Sequence, residues 1–140
     1  MLYALLFGSV LPIVVKMNEV LGRSVGPVPA SVSVHGTGAV FGALCVLPFL
    51  DRGWVANISA APWWSFLGGV FGSMLVVMAN RAIGVLGVAT FTAVTVAAQL
   101  VVSGTIDHFG LMGSEIHAMS VARASGILLL CAGAVLVARG

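Results

Sequence analysis

The chain has 140 residues, 60% of them hydrophobic and only 7% charged, with a mean hydropathy of +1.16. A water-facing domain carries about 25% charged residues, so this composition excludes a soluble globular protein and makes lipid the solvent. The formal net charge is +2, and its basic residues are scattered rather than gathered into a stripe, which excludes a nucleic-acid-binding surface.

Crossing a roughly 30 Å hydrocarbon core takes about 20 apolar helical residues, so the charge-free stretches count the spans. The first span is expected over residues 2–21, with Pro12 inside it and Lys16 and Glu19 toward its far end. Arg23 and Asp51 then bracket 27 positions without Asp, Glu, Lys or Arg, and Gly26-Pro27-Val28-Pro29 sets the start of a second span over 29–50. A polar segment from Asp51 to Ala61 follows. Pro62-Trp63-Trp64 opens a third span over 62–80, with proline suited to a helix start and tryptophan to the headgroup level. The fourth is placed at 86–106, ahead of a polar loop from Asp107 to Ser120, and the fifth at 121–138. The expectation is an all-α, five-span bundle forming one domain over 1–140, without an internal repeat.

With five spans, Lys16, Arg23, Arg81 and Arg139 share one side, while Arg52 and Arg123 share the other. Positive-inside bias therefore places the C-terminus in the cytoplasm by four to two, a difference small enough to leave dual topology open.

Polar groups recur on single helical faces inside these spans. Thr92, Thr95, Gln99 and Ser103 follow spacings of three and four along the fourth. Such a stripe either hydrogen-bonds to neighbouring helices or lines a cavity. The second span sets Ser31, His35, Gly38, Gly42 and Cys45 on one face, and the third sets Trp64, Gly68, Gly72 and Asn80 on another. The pairs Gly38/Gly42 and Gly68/Gly72 suit close helix packing. His35 is either a packing side chain or a titrating group in a pathway. Glu19 either binds a cation or proton inside the membrane, or is an interfacial charge that pairs with Lys16 or Arg23, at i−3 and i+4; Asn18 beside it extends either arrangement.

Cys45 and Cys131 have no metal-ligand spacing, and no Walker loop, GxSxG, HExxH or dinucleotide-binding glycine motif is present. No enzyme activity, metal or cofactor is expected.

Taken together, several features resemble the small five-span YdcZ-type family of the drug/metabolite transporter (DMT) superfamily. They are Asn18 with Leu21-Gly22-Arg23; His35 with Gly38; Pro62-Trp63-Trp64 leading to Gly68-Gly69 and Gly72; Gly87 and Thr92; Gln99 ahead of Asp107-His108-Phe109-Gly110; and Arg123, Gly126 and Gly133. The resemblance covers nearly the whole chain. It implies an inner-membrane protein that supplies one repeat of an inverted-repeat transporter, completed by an antiparallel homodimer or by a close homologue. The function expected is secondary transport of a small organic molecule, with Gln99, Thr92, Thr95, Asn80, Trp64 and Asn18 as candidate substrate contacts. Glu19 and His35 are candidate proton-coupling groups, and a cationic substrate would gain from tryptophan faces. The competing expectation is a non-transporting small subunit or regulator packed against a larger membrane complex.

Overall fold

The computed structural model describes residues 1–50 and 52–140, with side chains for all of these except 52 and 54–56. Its described elements are helical: α1 (Leu2–Val25), α2 (Pro27–Val46), α3 (Arg52–Ala60), α4 (Leu67–Leu86), α5 (Val88–Phe109) and α6 (Val121–Arg139). In lipid no water is available to satisfy exposed amides and carbonyls, so helices, which bond their own backbone, are the form available to such apolar runs. Among the described residues, five helical segments are long and apolar enough to cross a membrane: Leu2–Val25, Pro27–Phe49, Trp63–Leu86, Val88–Phe109 and Val121–Arg139.

The span order matches the expected one, and the boundaries move for local reasons. The first helix runs four residues past Leu21 and stops at Gly26, whose φ of 90° and ψ of 153° lie where only glycine sits without strain. Pro27 then begins α2 at once, its ring suited to a first turn. The second span ends in a short 3-10 turn over Leu47–Phe49, where Pro48 removes an amide donor. The third opens as a 3-10 turn over Trp63–Phe66 and continues to Leu86, six residues beyond the expected end at Asn80. The polar segment from Asp51 to Ala61, for which the sequence predicts no element, contains α3, which lacks the length to span a bilayer. Asp51, the first residue of that segment, and the side chain of Arg52, which the span count places on one membrane side, lie outside the described residues.

The helices group into two compact units, residues 1–84 and residues 85–140. In the first, α1 and α2 pack together from their one-residue connection at Gly26. Among the described residues of this unit, Glu19, Gly22, Ala30, Ser31, Asn80 and Ile83 are buried, contributed by the end of α1, the start of α2 and the second half of α4. Large apolar side chains such as Phe7 and Leu75, 68% and 63% exposed, point outward instead. That pattern is untenable in water over so many residues and natural against acyl chains.

The second unit is a helical hairpin of α5 and α6. Gly104 faces the Met119 and Ile127 side chains, which leave no room for a Cβ there. The connecting loop folds back on the end of α5. Gly110 caps α5 in the left-handed region at φ 61°, the His117 amide donates to the Asp107 carbonyl at 2.8 Å, and the Met119 amide donates to His108 Nδ1 at 3.0 Å. Ser120 caps α6 by accepting from the Arg123 amide at 3.2 Å.

Gly26→Ala forces a Cβ-bearing residue into the α1–α2 corner. The expected loss is about 1–3 kcal/mol, read as a lower thermal unfolding midpoint of the detergent-purified protein. An unchanged midpoint would show that the corner relaxes without glycine.

Candidate functional site

The chemistry of the first unit centres on Glu19. A carboxylate within a membrane span costs several kcal/mol unless it is neutralised or paired. The Glu19 side chain is 1% exposed, and both of its oxygens are engaged. Lys16 Nζ donates to Oε2 at 2.7 Å from one turn earlier, and Arg23 Nε donates to Oε1 from one turn later. The two cations are 47% and 67% exposed, so they bridge the buried carboxylate to more polar surroundings. Helical spacing alone makes this triad possible, because i−3 and i+4 lie on the same face as i. Of the two sequence readings of Glu19, the residue combines features of each: it sits inside a span, and it is held by Lys16 and Arg23.

Asn80 on α4 presents the opposite situation. It is 7% exposed, and neither its Nδ2 nor its Oδ1 has a hydrogen-bond partner. An amide carries two donors and an acceptor, and burying them all unpaired is a rare and costly state in a folded chain. Its neighbour is Gly22 of α1, where an added Cβ would come 2.8 Å from Nδ2 and 3.1 Å from Cγ. Gly22 is therefore the floor on which the amide rests, one residue before Arg23 and one turn after Glu19. The sequence reading passed over Gly22 as a site residue, since a lone glycine near a helix end carries no distinguishing pattern.

Nearby, one side-chain hydrogen bond ties α2 to α4 and a second lies within α2. Ser31 Oγ donates to the Ser73 carbonyl at 2.8 Å, and His35 Nδ1 donates to the Ser31 carbonyl at 2.8 Å. The other ring nitrogen of His35 faces Gly72, where a Cβ would lie 3.4 Å from it. Gly72 thus accommodates the histidine. Gly38, Gly42 and Gly68 have nothing within 4 Å of a built Cβ, so those three glycines face open space in this chain. Asn18 is half-buried on α1, and Trp64 is 45% exposed at the start of the third span.

The remaining predicted contacts belong to the second unit. Thr92 and Thr95 are half-buried there, and Thr95 Oγ1 donates to the Phe91 carbonyl at 2.8 Å and to that of Thr92 at 3.1 Å. Gln99, on the same stripe of α5, is exposed. Cys45 and Cys131 are free thiols, and no cluster of three or more metal-ligating side chains occurs among the described residues.

Among the described residues, five apolar helices long enough to cross a bilayer, with a buried ion-paired carboxylate on one and an unpaired amide on another, define a multi-pass membrane protein. The chain belongs to the DMT_YdcZ family, whose model, described as "Putative inner membrane exporter, YdcZ", matches residues 1–136. Comparison with curated proteins and with solved structures gives no match.

The Gly22–Asn80 contact is open to a two-residue test. Gly22→Ala is expected to destabilise the protein by about 1–3 kcal/mol through overpacking, while Asn80→Ala, which removes an unpaired amide, is neutral or stabilising. In the double variant part of the Gly22→Ala loss is recovered, because the two nearest atoms, Nδ2 and Cγ, are gone and the Cβ at position 80, 3.2 Å away, remains. Strictly additive unfolding midpoints would show that the two residues do not touch.

Proposed function

We propose that the protein is a secondary transporter, rather than an enzyme, and exports a small organic molecule across the inner membrane. The observation that carries this reading is Asn80: a buried, unpartnered amide inside an apolar span, beside the charged triad of α1. Polar groups held at that depth in lipid mark substrate or ion pathways, and the family's exporter description agrees.

One five-span chain supplies one repeat, and transporters of this kind operate with two repeats in inverted orientation. The working form is accordingly an antiparallel dimer, either of one dual-topology chain or of two close homologues, as in a half-length member of the DMT superfamily. The open glycine faces at Gly38, Gly42 and Gly68 are suited to a further helix. They would equally suit a larger complex, which is the alternative of a non-transporting subunit. Cross-linking in native membranes separates the two: the transporter yields a self-dimer or a dimer with a close homologue, whereas capture solely with an unrelated large protein favours the subunit.

Gln99 and Asn80 are proposed substrate contacts, along with Thr92, Thr95, Asn18 and the Trp64 ring. His35 and Glu19 are the groups available for proton coupling. A cationic substrate rests on the aromatic face of Trp64, while the charges around Asn80 weigh toward the other sign.

Gln99→Leu should abolish export from loaded proteoliposomes while leaving the unfolding midpoint nearly unchanged, and undiminished flux would remove Gln99 from the pathway. If Glu19 carries the coupled proton, Glu19→Gln should flatten the dependence of flux on the pH gradient. A retained dependence assigns Glu19 to holding Lys16 and Arg23.

A further inference from the structure

The charges surrounding the orphan amide do not balance. Glu19 contributes one negative charge, and Lys16 and Arg23 already occupy both of its oxygens. A third cation, Arg81, directly follows Asn80 on α4 and is exposed, with no acidic partner among the described residues. Arg23 adjoins Gly22, against which the Asn80 amide rests, and Arg81 adjoins Asn80 in the chain, so three basic residues accompany one carboxylate on the α1 and α4 segments that meet at that contact, and Asn80 Nδ2 has no acceptor. A cationic ligand would meet net repulsion and find the carboxylate taken, whereas an oxyanion would gain from every unmatched group.

We infer that this corner of α1 and α4 binds an oxyanion, the carboxylate or phosphate of the exported molecule. Arg23 and Lys16 supply the charge and Asn80 Nδ2 a directional donor. This rests on the export reading and names the chemical class of its cargo. Glu19 is a positioning residue: held between two cations, it fixes Arg23 one residue from the glycine floor. Neither polar atom of the Asn80 side chain is exposed in this arrangement, so a ligand reaches the amide when α1 and α4 part at Gly22. Alternating access requires movement of that kind. The small, flat Gly22 contact is suited to opening because no interlocking side chain from α1 has to be withdrawn at that position.

The test uses the purified full-length chain in detergent, with succinate, acetate and inorganic phosphate as anionic probes and tetraethylammonium as the cationic one, at constant ionic strength. The unfolding midpoint is expected to rise with at least one anionic probe and not with tetraethylammonium. Apparent affinity should fall at least tenfold in Arg23→Gln and in Asn80→Leu, and less in Arg23→Lys, which keeps the charge. Asn80→Leu guards against misfolding as the cause, since an apolar side chain of similar size suits this buried position.

Stabilisation by tetraethylammonium alone, by no anion, or equally in wild type and Asn80→Leu would overturn the inference. A lipid phosphate shares the chemistry, so the titration is repeated with phosphatidylglycerol in the micelle; if the lipid saturates the site and the soluble anions cannot compete, the cargo assignment falls. Proteoliposome flux of the same probes distinguishes the two levels. Anion binding without flux keeps the site and removes the export reading, while flux of cations without anion binding keeps export and removes the site.

Discussion

The first unit is organised around the cost of placing a carboxylate in hydrocarbon. Glu19 can be buried there because Lys16 and Arg23 neutralise it from the same helix, and that pairing holds only while the helix continues through Arg23. The glycine at position 26 lets it continue and then stop, turning the chain directly into Pro27 and α2. Charge pairing and chain reversal are therefore linked within eight residues, from Glu19 to Gly26. A helix that ended at Leu21 would leave the Arg23 guanidinium out of register and the carboxylate half-compensated.

From that corner the packing follows. Gly22 gives α4 a smooth surface on which Asn80 rests, and the Ser31 hydroxyl reaches the Ser73 carbonyl. Small polar residues hold helices together in lipid because no hydrophobic force acts between them, and close approach with a few hydrogen bonds must serve instead. One amide is left over. Most buried polar groups in folded chains find partners, so the isolation of Asn80 stands out against the satisfied serines and histidine around it. The second unit shows the complementary economy: its loop secures two backbone amides on the Asp107 carbonyl and the His108 ring, and Ser120 secures a third at the start of α6.

The family and the membrane location were legible in the sequence because both depend on quantities summed over many residues. Charge-free lengths against the bilayer thickness gave five spans in order, and an ordered set of motifs reaching from Asn18 to Gly133 carried the resemblance that the family match over residues 1–136 confirms. The Glu19 pairing was also accessible, since i−3 and i+4 spacing is local. What local spacing could not give is α3, hidden in a segment whose polar composition resembles a loop, or the continuation of α4 past Asn80 and Arg81, where a polar residue and a charge imitate a span end.

The sequence by itself determined the solvent, the number of spans and the identity of the polar residues inside them, because hydropathy and helical period act along the chain. Only the tertiary structure decided which polar groups are satisfied. Asn80 reads as one more stripe residue beside Trp64, Gly68 and Gly72, yet its amide is isolated against a glycine of another helix, 58 positions earlier in the chain. Gly38, Gly42 and Gly68 read as packing glycines yet face open space, while Gly22, read only as part of the family motif Leu21-Gly22-Arg23, makes the close contact. The physical reason is the same in each case: burial and hydrogen-bond satisfaction are properties of pairs of helices, and no periodicity within one helix specifies its neighbour.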